Sequence, residues 1–539
     1  MKQKKKMLRL LFACMLLLSL TIAAACSKSD TEPAGSSEPT TTANKEQQGN
    51  ASGENGGLTL PITDKPVTFK WMLSEKSDAA VRNDWPVAQA IKERTNVTVN
   101  FEPVPVSGLN EKKKILMATS SIPDIMQLNS NEARENGPDG VFLRLNDLID
   151  KHAPNIKRVM EEYPETKVTN VASDGGIYSV PNIGEQNAFN FSFMARRDLM
   201  EQYGIKDPST PEEFYEMLKT FKKHHPDSHP FSTRYFHLYW VSTIDEFVKM
   251  FTGISGVQGY NPQTDRFEFA ANHEGFQDAI VFLHKLYTEG LMDPEIAFIQ
   301  LAQWEQKMLT GKSFVTFDYR TRADSMSKTA LEANSTSTYN LTAIKPFAVQ
   351  GQKYYTFESP VVRNDHNVAL SPSISDPVTA IKLLDYFYTD EGSTLTQLGI
   401  EGKSYTVENG KYKLANAVDS VVLRRDYGAG NEGFSFFGKD KLVGTQPLSK
   451  RIQQVVEMYE GHVIKGPRQY EESQKTIELV KQKGDNVFQY ISEQLTKFIM
   501  DKDPINKETI AQFIQKAKEL GVEEIIDARN KDYAAQYGK

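Results

Sequence analysis

Both cysteines of this chain lie within its first twenty-six residues, and that limits how everything after them can be held together. Met1-Lys2-Gln3-Lys4-Lys5-Lys6 opens with positive charge, Leu10 to Leu20 is apolar, and Ala23-Ala24-Ala25-Cys26 closes on small residues. A basic segment, an apolar run and a small-residue site in that order form an export signal. The apolar run is shorter than the roughly 20 residues a spanning helix needs. Cys14 sits inside that run and is expected to leave with residues 1–25. If Cys26 is then modified, the folded part keeps no thiol. No disulfide can brace it in an oxidising compartment, so its stability must come from core burial. The length of 539 residues allows this, since it leaves room for two or more cores at about 150 residues each.

A cysteine directly after a small-residue cleavage site resembles the bacterial lipobox. That resemblance implies lipid attachment at Cys26 and a protein tethered to the extracytoplasmic face of the cell membrane. Ser27 to Gly57 is rich in Ser, Thr, Gly, Glu and Asn and almost free of large apolar residues. Such a segment cannot bury enough surface to offset its ordering entropy, so residues 26–57 read as a disordered tether. Formal charge is −7, and the leader holds five basic residues (Lys2, Lys4, Lys5, Lys6 and Arg9) and no acidic one, which leaves the rest near −12. An acidic body repels phosphate backbones, so nucleic acid is not an expected partner. The same charge opposes a uronate polymer, though less strongly. Most of the aromatic residues are expected in the core.

From Leu58 onward, strands and helices alternate. Val67 to Leu73 reads as a strand, Pro86 to Arg94 as a helix, Val97 to Phe101 as a strand and Glu111 to Ala118 as a helix. This spacing argues for α/β structure with a mainly parallel sheet. Thr210-Pro211-Glu212-Glu213 marks a helix start with a capping box, and Phe214, Met217, Leu218 and Phe221 follow on one face. Asp376-Pro377 starts another helix, with Ala380, Leu383, Leu384 and Phe387 as its buried stripe. From Arg451 on, the chain reads as mostly helical with a break at Asp503-Pro504.

The order of several stretches resembles family 1 extracellular solute-binding proteins, the sugar receptors of ABC importers, and in particular their long lipoprotein branch. Ser121-Ile122-Pro123-Asp124-Ile125 looks like one family strand, and Asp174-Gly175-Gly176-Ile177-Tyr178-Ser179-Val180-Pro181 like the segment before the first crossing. Ala195 to Ile205 followed by Pro208 to Phe214 is the most specific match, and Leu384 to Gly402 is similar to a helix and turn of the long branch. The resemblance implies a two-lobed, type II periplasmic-binding-protein-like α/β fold with a ligand cleft between the lobes. The N-terminal lobe would comprise 58–187 and 345–402, and the C-terminal lobe 188–344 and a mostly helical 403–539. The crossings would fall near Asn187 to Phe193 and Asn340 to Phe347. The implied partners are a carbohydrate and ABC permease subunits, with the protein acting as a monomer and without a cofactor.

A sugar site needs aromatic plates to stack on, with carboxylates, amides and arginines to bond hydroxyls. It is expected at strand ends that face a cleft. Phe314 to Arg320 is a strand ending in Tyr319 between Asp318 and Arg320, and in the family the corresponding strand ends in a stacking aromatic. Arg234 to Trp240 is a dense aromatic run, from which Tyr239 and Trp240 are candidates. Trp304, on a helix with Met308, is a candidate for which core packing is the competing reading. Tyr178 has hinge packing as its alternative. Glu185, Glu75 and Asn129 follow strands and could bond hydroxyls, or could lie in solvated loops.

His224, His225 and His229 invite a zinc reading, but they lack regular helical pair spacing and a cysteine. Some relatives of the long branch carry a calcium loop here. Pro226-Asp227-Ser228-His229-Pro230 lacks the required run of oxygen ligands, so no metal is expected. No G-x-S-x-G, H-E-x-x-H or Walker loop is present. The reading is therefore a binding protein and not an enzyme. A surface carbohydrate-active enzyme using paired carboxylates and an oligopeptide receptor remain as alternatives.

Overall fold

The structure, a computed structural model, describes residues 56–537 apart from 77–78, 185–188, 237–241, 417, 419, 438–449 and 502–504. The leader, Cys26 and nearly all of the tether therefore lie outside the described residues.

Strands β1 (Val67–Glu75) and β2 (Val97–Pro105) flank the helix Pro86–Thr95 and pair in parallel along their whole length, Val67 opposite Val97 to Glu75 opposite Pro105. Strand β3 (Ile125–Leu128) lies parallel to β1 on its other side. Phe69, Trp71, Met72 and Leu73 of β1 are all buried, as a central strand covered on both faces requires. Strand β4 (Val180–Ile183) precedes the first crossing, and β5 (Phe191–Arg196) opens a second sheet. A hairpin of β6 (Gln258–Asn261) and β7 (Arg266–Phe269) follows, then β8 (Val315–Tyr319) and β9 (Leu341–Ala343). After the short β10 (Thr356–Phe357), β11 (Val362–Leu370) returns to the first sheet.

The first sheet runs β2-β1-β3-β11-β4 and the second β8-β5-β9. In the first sheet β1, β2, β3 and β4 all run in one direction. β11 is antiparallel to both neighbours, and every pairing in the second sheet is antiparallel. The expectation of a mainly parallel sheet holds for the first sheet, with β11 as its one reversed strand, and not for the second, whose pairings are all antiparallel. Helix crossovers make parallel neighbours only where the chain stays in one sheet, and β11 arrives from the other.

Each sheet has its own core. Trp71 stacks on Phe436 at 5.9 Å and meets Phe434 edge-on at 5.5 Å. Phe193 packs against Phe214, Phe231, Phe247, Phe317 and Phe347. Tyr354 belongs to the second core, whereas Leu423, Phe434, Phe436 and Phe437 belong to the first. Residues near 354 still pack with the second sheet, and the stretch to Phe437 packs with the first, because its aromatic residues fill space beside Trp71. The helices Gln474–Met500 and Lys507–Leu520 bury Val487, Ile491, Leu495 and Phe513 against the second core.

Local signals in the sequence are realised with one change of partner. The Thr210 hydroxyl accepts from the Glu213 N–H at 3.2 Å, but the Glu213 carboxylate accepts from the Ser209 N–H at 2.7 Å, one residue before the cap. Phe214, Met217, Leu218 and Phe221 are buried as their spacing requires. Asp376 caps Pro377–Tyr386, and Phe387 packs just past that helix's end.

Inside the first core, the Asp385 carboxylate accepts from the backbone N–H groups of Asn155 and Ile156 and from the Asn155 amide, each at 2.8 Å. Burial is the dominant influence and pushes its carboxyl up to about 6 against those donors. The folded protein then keeps a proton that the unfolded chain releases near pH 4. This contribution to stability is present below that pH and is lost as pH rises through about 6. Asp245, buried beneath the Val257 N–H, is pushed the same way. Asp385→Asn isolates one share of the effect. Between pH 4.5 and 7, urea unfolding should show wild type losing about 2 kcal/mol relative to the variant.

Candidate functional site

Strand β8 is buried along Val315, Thr316, Phe317 and Asp318 and turns outward at Tyr319. Asp318 is wholly buried, yet its carboxylate is fully engaged. Arg234 donates Nε–H and Nη2–H to its two oxygens at 2.8 and 3.1 Å, the Tyr319 N–H donates at 2.6 Å, and Arg322 Nε lies 3.9 Å away. Burial opposes the Arg234 charge, but the Asp318 carboxylate outweighs it and holds the guanidinium above its usual range. The Arg234 guanidinium lies 4.2 Å over the Tyr235 ring and 5.8 Å from Trp304. Arg322 stands 5.7 Å from the same indole and bonds Glu305 at 2.7 Å. The result is a rigid floor of two arginines, two acids and two rings.

Tyr319 stands half-buried above this floor. Its ring centroid is 4.3 Å from that of Phe191, and Tyr235 meets it edge-on at 6.0 Å. A second polar group gathers at the ends of the first sheet. Lys76, just past β1, pairs with Glu432 at 2.5 Å. His366 of β11 places Nε2 3.5 Å from Glu432 and 3.7 Å from Asp365, and its Nδ1 lies 2.6 Å from Gln127 Nε2. Gln127, at the end of β3, accepts the Ser74 N–H at 2.7 Å. His366 has φ +55°, a left-handed conformation that a non-glycine residue adopts at a cost. Gly433 (φ +77°) lets the chain that carries Glu432 lie against Gln127, since a Cβ there would come within 2.4 Å of the amide oxygen.

Charges from both faces act on Tyr319. Burial is the main cause of its raised phenol, and the carboxylates of Glu432 and Asp365 from the first sheet's side add to it together with Asp318, against Arg234. An aromatic ring from one sheet therefore lies within electrostatic reach of carboxylates carried by the other.

The structure brings together Tyr319, Asp318 and Arg320, whose guanidinium lies 5.2 Å from the Phe189 ring. Trp304 is adjacent but fully buried, with Nε1 donating to the Ser232 carbonyl at 3.3 Å, so it supports the arginines from behind. Tyr178 is buried and donates its hydroxyl to Asp174 at 2.6 Å. Asn129 caps Ser130–Asn136 and takes part in a capping box with Glu132. Glu75 accepts the Val81 N–H at 2.8 Å and orders the loop after β1. Trp240, Tyr239 and Glu185 lie outside the described residues. Sequence reasoning missed Arg234, Arg322, Lys76, Gln127, His366 and Glu432. Their partners are distant in sequence (Lys76 and Glu432 are 356 residues apart), so no local pattern announces them.

The histidines do not converge. The His224 ring stacks on Tyr203 at 3.9 Å, His225 Nε2 lies 2.9 Å from the Tyr203 hydroxyl, and His229 Nδ1 lies 3.0 Å from the Gly290 carbonyl. Lys222 Nζ donates to the Ser228 carbonyl at 2.6 Å, so a protein cation already serves this loop. Among the described residues no group of three His, Cys, Asp or Glu side chains is arranged to hold a metal. Treatment with a chelator is expected to leave the melting temperature unchanged, whereas a fall reversed by added calcium would contradict this. No helix among the described residues is long and apolar enough to cross a membrane.

A family model described as bacterial extracellular solute-binding protein matches residues 82–394. The chain is 21% identical over 486 residues to lipoprotein LipO of Bacillus subtilis (strain 168), spanning 86% of this chain and 92% of that protein. It is 24% identical over 255 residues to the fructooligosaccharide ABC transporter substrate-binding protein FusA of Streptococcus pneumoniae serotype 4 (strain ATCC BAA-334 / TIGR4). That alignment covers 44% of this chain and 47% of the relative, so the match spans about half of that protein's length. Among solved structures, the alginate-binding protein AlgQ2 without calcium superposes with a TM-score of 0.71 at 24% identity, covering 87% of this chain and 98% of that one. FusA in complex with kestose gives a TM-score of 0.71 at 17% identity, covering 88% and 100%. At these identities the structural likeness shows a shared fold.

Proposed function

The chain belongs to the bacterial extracellular solute-binding protein family, and from that premise we propose that it captures an oligosaccharide between two lobes and hands it, unaltered, to the permease of an ABC importer. One lobe is built on the first sheet, from about residue 58 to the crossing after β4 and from β11 to Phe437. The other is built on β5, β8, β9 and the C-terminal helices. The observation that carries this reading is Tyr319, a partly exposed ring on a rigid floor, on which the charges of Glu432 and Asp365 from the other sheet act. A sugar ring offers one apolar face for stacking and hydroxyls around its edge, and this site has a plate for the first and carboxylates, a histidine and an amide for the second. Closure follows if the ligand touches both faces, because it then binds the closed state more tightly than the open one. Modification of Cys26 would hold the protein at the outer face of the cell membrane, and the segment to residue 57 would give the lobes reach. It is proposed to work as a monomer.

The test is a thermal-shift screen over oligosaccharides, followed by chromatography of the ligand recovered from the protein. A ligand at about 100 times its Kd should add about 2.7 kcal/mol to apparent stability. The expected result is a shift with stoichiometric recovery of intact sugar. Shortened sugar would identify an enzyme, and a shift with mixed peptides but no sugar would identify a peptide receptor.

A further inference from the structure

At the end of β3 a chain of hydrogen bonds decides which nitrogen of His366 carries the proton. The Ser74 N–H is a backbone donor, so the Gln127 atom 2.7 Å from it must be the amide oxygen. The other end of that amide, Nε2, lies 2.6 Å from His366 Nδ1. An amide nitrogen only donates, so Nδ1 accepts, and the proton of the neutral ring sits on Nε2. His366 Nε2 is 3.5 Å from Glu432 Oε2 and 3.7 Å from Asp365 Oδ2, longer than an ordinary hydrogen bond. Its N–H therefore has no acceptor among the described residues. Lys76 takes the other oxygen of Glu432, Oε1, at 2.5 Å, which leaves Oε2 open. The His366 side chain is 28% exposed. It lies one residue beyond the Asn367–Leu128 pair, at the carboxyl end of β3, where open α/β sheets bind ligands.

An open N–H with carboxylate oxygens 3.5 and 3.7 Å away suits one kind of group, a hydroxyl, which accepts from the nitrogen and donates to a carboxylate at the same time. An ether oxygen or a carbonyl satisfies only the nitrogen, and an ammonium only the carboxylates. We propose that His366 Nε2–H and the carboxylate of Glu432 or Asp365 together hold one hydroxyl of the ligand, with Gln127 as the positioning residue that fixes the tautomer. This rests on the carbohydrate reading above. The left-handed backbone of His366 (φ +55°) is the strain accepted to place the ring there.

Nitrogen-15 spectra of the sugar-free protein test the tautomer, with the His366 signals assigned by their loss in a folded His366→Asn variant. Wild type should show Nε2 protonated and Nδ1 bare. In Gln127→Glu a carboxylate oxygen replaces the amide nitrogen, which keeps the Ser74 bond and draws a proton to Nδ1. Calorimetry then follows the oligosaccharide that most raises the melting temperature. His366→Asn, whose new residue tolerates the left-handed backbone, should bind it about tenfold more weakly. Between about pH 6 and 9 wild-type affinity should stay level, because Nε2 carries its proton whether the ring is neutral or charged. In Gln127→Glu affinity should fall about tenfold as pH rises, since the ring then keeps the proton on Nδ1 and bares Nε2. Glu432, Asp365, Lys76 and Arg424, whose charge falls on Glu432, hold their charges across this range. A wild-type ring protonated on Nδ1 and bare at Nε2, or unchanged affinity in His366→Asn, would overturn the inference and leave the carbohydrate reading standing. Failure of every oligosaccharide to bind would overturn both.

Discussion

Replacing Asp318 with alanine is expected to cost about 3–5 kcal/mol of unfolding free energy, because it leaves a buried cation without its counter-charge. The Asp318 side chain is 0% exposed and that of Arg234 only 18%. Arg234 is held between Tyr235 and Trp304 and cannot swing into water without breaking both contacts. Arg322 loses part of its counter-charge as well. The fall in denaturant midpoint measures the cost. Two further variants separate charge from packing. Asp318→Asn retains an acceptor and should cost less. Asp318→Leu combined with Arg234→Met should recover much of the loss, because replacing a buried pair with apolar groups of similar volume is often neutral or better. A loss in Asp318→Ala of under about 1 kcal/mol would place the pair in the class of exposed ion pairs.

Tyr319→Ala should leave folding nearly intact and weaken sugar binding by about 2–4 kcal/mol, roughly 30- to 1,000-fold in Kd. The ring is half-buried, and its neighbour Phe191 keeps its packing against Phe317 and Tyr235, so little stability depends on Tyr319. Its value to a ligand is the flat face it presents. Tyr319→Phe retains that face and should retain most of the affinity, losing only what the hydroxyl bonds. Trp304→Ala is the contrasting variant. It empties the space behind Arg234 and should destabilise the fold by about 3–5 kcal/mol. Loss of binding in Trp304→Ala together with full binding in Tyr319→Ala would mean that the ring assignment is wrong.

Much of the fold is written in local sequence. Strand β1 and the helix starting at Pro86 carry their own apolar spacing, the helices starting at Pro211 and Pro377 carry side-chain caps as well, and each forms within a few residues of where those signals place it. Sheet assignment is less local. Nothing near β11 says that it returns antiparallel beside β3, because that depends on the direction from which the chain arrives. Phe434 and Phe436 sit in a Gly-rich loop with no periodicity, and only the space beside Trp71 explains their burial. The site shows the same division. A strand ending Asp318-Tyr319-Arg320 is visible in the sequence because all three residues are consecutive. The Arg234–Asp318 pair spans 84 residues, and the cluster of Lys76, Gln127, His366 and Glu432 comes from four separate segments. Tyr178 and Asn129 looked equally available, but one buries its ring over Gly137 and the other caps a helix. Those tasks depend on backbone geometry that residue type alone does not report.

A crystal structure of the protein with the oligosaccharide that most raises its melting temperature tests the capture of a sugar between two sheets most directly. The result to expect is a sugar ring stacked on Tyr319, with its hydroxyls bonded to Glu432, Asp365 or His366 on the opposite face. A sugar bound to one sheet alone, away from Tyr319 and with the two faces apart, would contradict it.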